Sequence, residues 1–147
     1  MSTTRLLAAS LLTAVAVASS ACARECAPQI EDGWLRLPPG SMPMLAGFAR
    51  IENSCSAPIV VVAARSPSFA DVSLHETRLD GGISRMRAVP ELPIAAGAQA
   101  ELEPGGLHLM LMDPRAPVKA GDTVTVELDL KDGRTLRGNF PVRAIGG

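Results

Sequence analysis

Apolar and polar residues alternate with a period of two along the C-terminal part of this 147-residue chain. Between residues 122 and 130 the apolar positions are Val124, Val126, Leu128 and Leu130, and the polar positions between them are Thr125, Glu127 and Asp129. Successive side chains of a β-strand point to opposite faces, so this alternation predicts a strand with one buried face. The same period returns over residues 136–142 after Asp132-Gly133, which predicts a β-hairpin with an Asp-Gly turn.

Seven further segments have the length and composition of strands and are separated by clusters of Pro, Gly, Asn and Ser. They cover residues 30–37, 45–53, 59–64, 71–77, 83–89, 98–103 and 107–112. No segment has a convincing helical period. Many short strands in a chain of single-domain length are typical of antiparallel β-sandwiches and barrels with Greek-key connections. We therefore predict one all-β domain with an antiparallel sandwich or barrel architecture.

The first 23 residues have the features of a secretory signal peptide. Arg5 precedes an apolar stretch, and Ala21-Cys22-Ala23 has the small-residue pattern of a cleavage site. The apolar stretch of about 13 residues is shorter than the ~20 needed to span a bilayer, so no membrane span is expected. We expect residues 1–23 to be removed and residues 24–147 to form the exported domain. The alternative is cleavage before Cys22 with lipidation of that cysteine, although Ser19 stands where a lipobox prefers Leu.

Cleavage after Ala23 leaves Cys26 and Cys55 in the mature chain. Disulfides persist in exported proteins, so this even pair is expected to form a structural bridge. The two residues lie far from C-x-x-C spacing, which disfavours the alternative of a redox or metal-binding dithiol.

Charge and composition argue against nucleic-acid binding. The 14 Lys and Arg residues against 15 Asp and Glu give a net charge of −1, without a basic run to neutralise a phosphate backbone. Aromatic residues make up 3% of the chain and leave little for base stacking. No Ser/His/Asp arrangement or Gly-rich phosphate loop stands out, so we do not expect an enzyme.

Histidine and methionine carry the most specific chemistry in the chain. In a strand over residues 107–112, the leucines would share one face, and His108, Met110 and Met112 would share the other. This places one imidazole beside two thioethers, away from the leucine core.

The second histidine, His75, stands in a strand that leads into a Gly-containing turn. With Asp80-Gly81 at the centre of a two-residue turn, Met86 pairs directly with His75. A turn centred on Gly81-Gly82 would break that pairing. We take the first register as the prediction.

Such a set of imidazoles and thioethers suits Cu(I), which accepts soft, uncharged ligands in a roughly tetrahedral arrangement. Zinc would normally take thiolate or carboxylate ligands. Outside the cytoplasm thioethers have a further advantage over thiols, since they are not consumed by disulfide formation.

The spacing of these residues resembles the motif of the PCu(A)C family of periplasmic copper chaperones. That motif is His, ten residues, Met, twenty-one residues, His, one residue, Met, and it corresponds here to His75, Met86, His108 and Met110. The local sequences LHET, MRAV and GGLHLMLM are also similar to those of the family. The similarity extends from about Trp34 to the C-terminal hairpin.

The resemblance implies a cupredoxin-like β-sandwich in the periplasm that binds one Cu(I) through these four side chains. It also implies delivery of copper to the dinuclear copper centre of cytochrome c oxidase, with the oxidase copper subunit or a Sco-type copper protein as partner. Met112 is a possible auxiliary ligand, and packing beside the site is its alternative role. Met42 and Met44, which fall in a Pro-rich loop, could lie beside the site.

Two other classes of protein remain open at this point. An electron-transfer cupredoxin would need a Cys thiolate with two histidines at its blue-copper site. An exported Ig-like interaction module would carry its His/Met surface by coincidence.

Overall fold

The computed structural model describes residues 26–40 and 42–145. The predicted signal peptide, its cleavage site and Cys22 lie outside the described residues. No helix in the described part of the chain is long and apolar enough to cross a membrane.

Ten β-strands make up the regular structure, and the described residues contain no helix. The strands are β1 (Gln29–Leu37), β2 (Met44–Glu52), β3 (Ile59–Arg65), β4 (Phe69–Asp80), β5 (Ile83–Ala88), β6 (Leu92–Ile94), β7 (Gln99–Leu102), β8 (Leu107–Pro114), β9 (Thr123–Leu130) and β10 (Thr135–Ala144). The predicted strands are all present. Sequence reasoning misses only β6, because three residues with a central Pro show no readable alternation.

The strands pair in the order β5-β4-β8-β7-β2-β1-β10-β9-β3-β6. Two additional pairings, β8 with β2 and β3 with β4, close the ladder into a barrel. Most pairs are antiparallel, as predicted, but β1–β10 and β7–β8 are parallel. The prediction of a single all-β, cupredoxin-like domain is confirmed.

The C-terminal hairpin forms as the alternation indicates. On β9 the side chains of Val124, Val126, Leu128 and Leu130 are buried. Asp132 and Gly133 belong to a three-residue connection, in which Gly133 adopts a φ of 92°. Glycine reaches this left-handed region without a steric penalty, and it is the usual residue there in three-residue hairpin loops.

The core lies inside the barrel and is mostly aliphatic, with Phe69 and Phe140 as its aromatic members. Its most deeply buried members are Leu35, Ile51, Phe69, Leu109, Leu111, Val126, Leu128 and Phe140. β8 crosses this core with Leu109 and Leu111, so its alternate side chains must point out of the barrel.

The N-terminal segment is fastened to the loop after β2 by the disulfide Cys26–Cys55, whose Cα atoms are 5.5 Å apart. The bridge agrees with the sequence prediction. Beside it, the buried amide of Asn53 donates to the carbonyl oxygens of Ala57, Ile94 and Ala95, and its oxygen accepts from the Cys55 N–H. One side chain therefore ties the β2–β3 loop to the end of β6.

Candidate metal centre

The outward face of β8 carries the His/Met surface that the alternation predicts. His108 is 6% exposed, and Met110 and Met112 are half-buried. Because Leu109 and Leu111 fill the core from the same strand, the three outward side chains have fixed direction and spacing. The backbone thereby holds one imidazole and two thioethers in a row.

β4 brings the second imidazole to this row. In the β4–β8 ladder His75 lies directly opposite His108, and Ser73 lies opposite Met110. The two imidazole rings stack with centroids 6.1 Å apart and an interplanar angle of 30°. Two residues separated by 32 intervening positions in the sequence thus become nearest neighbours through strand pairing.

The predicted register of the β4–β5 hairpin is wrong. His75 pairs with Ala88, and Met86 pairs with Thr77. The turn is centred on Gly81 and Gly82, with φ values of 57° and 81°. A two-residue turn of this kind needs positive φ at both central positions, and a pair of glycines adopts it more readily than Asp80 with Gly81.

The corrected register still leaves Met86 on the face that carries His75. Moving a two-residue turn by one position shifts the pairing by two residues, and side chains two apart share a face. Met86 is therefore a diagonal neighbour of His75, at about 7–8 Å between backbone positions. Its side chain is 56% exposed, so it can move toward a metal or away from it.

Each imidazole has one ring nitrogen engaged in a hydrogen bond. His108 Nδ1 lies 3.0 Å from the carbonyl oxygen of Gly106, which can only accept, so Nδ1 carries the hydrogen and Nε2 keeps its lone pair. His75 Nε2 lies 3.0 Å from Ser73 Oγ. When Nε2 donates to this hydroxyl, the lone pair of His75 Nδ1 is free.

Burial and the neighbouring His108 lower the pKa of His75, and Asp71 acts weakly in the opposite direction. A lowered pKa favours the neutral imidazole, which is the form that binds metals. Burial and the neighbouring imidazole therefore both favour the neutral form of His75.

An open cavity of about 300 Å³ lies against this face. His108, Met110, Met86 and Met44 supply its soft donor atoms. Phe48 forms part of its lining and is buried although it points out of the barrel. A separate apolar cavity of about 270 Å³, between β3 and β4, is lined by aliphatic residues and Ser73 and contains no imidazole or thioether.

Aromatic and cationic side chains surround the cavity on the β1 side. The rings of Trp34 and Phe48 are 4.7 Å apart, with Arg36 over Phe48 at 5.0 Å and Arg143 over Trp34 at 5.3 Å. Phe48 and Arg36 line the cavity, so this wall combines an aromatic ring with a guanidinium group.

Arg85 and Arg87, which flank Met86, point to the opposite face of the hairpin. Arg87 donates to Glu76, and Arg85 lies 3.6 Å from Asp80. Arg87 and Arg78 lower the pKa of the Glu76 carboxyl by hydrogen bonding. These arginines therefore belong to an exposed charged surface on the face of the hairpin opposite to Met86.

Met44, which the sequence placed in a Pro-rich loop that could lie beside the site, lies in a strand and lines the cavity. It begins β2 and pairs with Met112 on β8. Alternation around the buried Leu45 was the available signal, because it places Met44, Ala46 and Phe48 on one face. Met42, by contrast, is 52% exposed and does not line the cavity.

A family model described as "Putative lipoprotein LpqE-like" matches residues 29–142. The "Putative lipoprotein Lxx21020" of Leifsonia xyli subsp. xyli is 32% identical, over 99% of this chain and 94% of that protein. The solution structure of CuI-DR1885 from Deinococcus radiodurans is 33% identical, with a TM-score of 0.65 over 84% of this chain and 83% of that chain. The copper-bound PCuAC domain from PmoF2 has a TM-score of 0.64 at 20% identity, over 78% of this chain and 91% of that domain, and shows likeness of fold.

The barrel and its outward His/Met face define a cupredoxin-like domain of the PCuAC type, and the resemblance inferred from the motif is confirmed. The chain belongs to the LpqE-like family, since the family model matches most of its length.

Proposed function

We propose that this protein binds one Cu(I) through His75, Met86, His108 and Met110 and carries it to an acceptor protein. The observation that supports this proposal best is the direct pairing of His75 with His108 on adjacent strands. Met110 follows on the same face of β8, and Met86 reaches that face from the β4–β5 hairpin.

The chemistry of the donor set favours Cu(I) among biological metals. Two neutral imidazoles and two thioethers form a soft to borderline set that adds no charge to the ion. A relative at 33% identity has been solved in a form named CuI-DR1885, so the metal is consistent with the chain's family.

The exposure of Met86 suits a carrier, and we propose this role in preference to an enzyme. The cavity opens to solvent, and Met86 is the most exposed of the four donors. An approaching acceptor could replace Met86 first and then the buried ligands one at a time. Copper stays Cu(I) throughout, so no redox partner is needed.

For the acceptor we propose the dinuclear copper centre of cytochrome c oxidase, reached directly or through a Sco-type copper protein. This assignment follows from the motif resemblance. Transfer from the Cu(I)-loaded protein to the isolated oxidase copper domain, and separately to a Sco-type protein, distinguishes the two routes. Absence of transfer to both would exclude this assignment without affecting the metal site.

We propose that residues 24–147 form an exported domain. The relatives named as lipoproteins give weight to lipidation of Cys22 as the alternative to cleavage after Ala23. The mass of the mature protein decides between them, because cleavage after Ala23 leaves Arg24 as the first residue, whereas lipidation retains an acylated Cys22.

A blue-copper electron carrier is disfavoured because Cys26 and Cys55 are joined to each other and neither offers a thiolate. An Ig-like interaction module remains the competing interpretation if no metal binds.

Competition for Cu(I) with a chromophoric chelator tests the proposal. We expect one-to-one binding by the mature protein and a loss of about tenfold or more in affinity for Met86→Ala and for His108→Gln. Leu79→Ala is the matched control, since Leu79 is exposed on the same face of the same hairpin. Equal binding by all four proteins, or no binding by the wild type, would exclude the His/Met site.

A further inference from the structure

β5, the strand that carries Met86, forms an open edge of the sheet. Within the described part of the chain it pairs with β4 alone, and all of its residues, Ile83–Ala88, are exposed. Edge strands are commonly blunted by a proline, a bulge or a covering segment. β5 contains no proline, and its ladder with β4 runs without a register shift. The edge is therefore regular enough to accept another strand.

The outward backbone groups of this edge belong to Ser84, Met86 and Ala88. Just beyond β5, the Val89 N–H donates to the Leu74 carbonyl oxygen at 2.8 Å. Residues bonded to the partner strand and residues turned away from it alternate along an antiparallel ladder. The N–H and C=O groups of Ala88, Met86 and Ser84 consequently point away from β4. The backbone of a proposed copper ligand thus lies on the open edge.

The face of the β4–β5 hairpin opposite to Met86 is cationic. The ladder places Arg78, Arg85 and Arg87 there with Glu76 and Asp80. The arginine side chains are 63–66% exposed, whereas Glu76, which two of them contact, is 20% exposed. Arg78 and Arg85 lie directly opposite each other, and like charges in this position are destabilising. This face therefore attracts acidic groups and repels a second copy of itself.

Strand alternation relates this charge to Met86. A segment added beside β5 places one residue opposite Met86, on the face of the copper ligands. The two neighbours of that residue then lie opposite Arg85 and Arg87 on the cationic face. The residue opposite Met86 would be about 5.5 Å away between Cα atoms. The segment that fits this edge therefore has a metal-binding side chain with an acidic residue on each side.

We propose that β5 is the docking edge for the protein that receives the copper, and that the acceptor adds an extended acidic segment to it as a further strand. This inference rests on the proposed carrier function, which identifies the occupant. The segment carries a sulfur or imidazole donor opposite Met86 and carboxylates facing Arg85 and Arg87. Main-chain hydrogen bonds hold the segment, and the carboxylates select it.

Two substitutions at Ser84 test the edge. Ser84→Pro removes one outward N–H and leaves the hydrogen bonds to β4 in place, whereas Ser84→Ala, the matched control, keeps the N–H. Both variants should bind Cu(I) like the wild type. Ser84→Pro should transfer it about tenfold more slowly than Ser84→Ala to the isolated oxidase copper domain or to the Sco-type protein. Equal transfer rates for the two variants would overturn the inference.

Charge reversal tests the selection of an acidic segment. Arg85→Glu should slow transfer by about tenfold at low ionic strength, and added salt should reduce the difference from the wild type. Arg115→Glu makes the same change of charge at an exposed residue just after β8 and should have a much smaller effect. Equal effects of the two variants would show a general attraction between the proteins and would contradict recognition at β5.

Amide hydrogen exchange locates the contact. When the mature protein is mixed with either acceptor, the amides of Ser84, Met86 and Ala88 should gain protection. Protection that grows with the concentration of the protein alone would identify a second copy as the occupant and overturn the acceptor assignment. The two proposals fail separately: absence of Cu(I) binding overturns the proposed function, whereas three unprotected amides with both acceptors overturn the docking edge in a protein that still binds copper.

Discussion

His75 and His108 lie directly opposite each other on β4 and β8, with their rings stacked 6.1 Å apart. Each ring is oriented by a residue two positions earlier in the chain, Ser73 for His75 and Gly106 for His108. The two rings therefore use different nitrogens and different kinds of partner, a hydroxyl and a backbone carbonyl, and strand pairing brings them together. Preorientation of both imidazoles lowers the entropic cost of collecting ligands around an ion.

Cu(I) affinity should fall as the pH decreases. Both imidazoles must be neutral to bind the metal, while thioethers do not titrate. Because the pKa of His75 lies below its ordinary value near 6.5, His75 should remain competent somewhat below that pH. Chelator competition between neutral pH and about pH 5 measures the effect. An affinity that stays flat over this range would contradict ligation by histidine.

The stability of the metal-free domain should also decrease in acid, and His75 should contribute. Its pKa is lowered in the folded state, so between that value and the ordinary value of about 6.5 the unfolded chain binds more protons. The free energy of unfolding therefore rises as the pH increases through this window. The contribution of His75 to stability is lost as the pH falls through it. Urea titrations on either side of the window should show a smaller pH effect for His75→Gln than for the wild type. Equal slopes for the two proteins would argue against the shift.

Removing the disulfide should destabilise the domain without changing its affinity for Cu(I). The bridge joins residues 29 positions apart, which corresponds to about 3–4 kcal/mol in the chain-entropy model. Denaturant unfolding of the Cys26→Ser, Cys55→Ser double variant measures this loss. Its Cu(I) affinity should match that of the wild type, because the bridge lies outside the cavity lining. A large loss of affinity in the folded variant would contradict this separation.

Asn53→Ala should strongly destabilise the domain, although Asn53 lies in the loop after β2. The amide is fully buried and donates to three carbonyl oxygens, which would lose a partner inside the protein. We expect a loss of about 2–4 kcal/mol in the free energy of unfolding. Ser54→Ala, at the exposed next position, is the control and should unfold like the wild type. Thermal unfolding compares the stabilities of the two variants with that of the wild type. A small loss of stability in Asn53→Ala would show that water replaces the hydrogen bonds of the amide.

Adjacent positions on β8 should separate stability from metal binding. Leu111→Ala removes a fully buried core side chain and should cost about 2–5 kcal/mol, with Cu(I) affinity of the folded protein preserved. Met110→Leu preserves volume and should cost less than about 1.5 kcal/mol but weaken Cu(I) binding. Paired unfolding and chelator measurements on the two variants test the division between faces. A loss of Cu(I) affinity in Leu111→Ala but not in Met110→Leu would contradict this division between the core face and the metal-binding face.

The alternation of side chains along each strand was readable from the sequence, because a strand with one buried face imposes a period of two. That period was sufficient to predict that His108, Met110 and Met112 share the outward face of β8. The spacing of His75, Met86, His108 and Met110 indicated the family and its candidate ligands. The pairing of Cys26 with Cys55 followed from elimination in an exported chain.

The relative positions of the strands were decided by the tertiary structure. Two glycines in succession allowed two turn positions, and the backbone conformation at Gly81 and Gly82 selected the one that local sequence left open. The placement of His75 against His108, and of Met44 against Met112, depends on ladders between segments distant in the chain. Local alternation assigns each side chain to a face, but a neighbour across the sheet is chosen by how the whole barrel closes around its core.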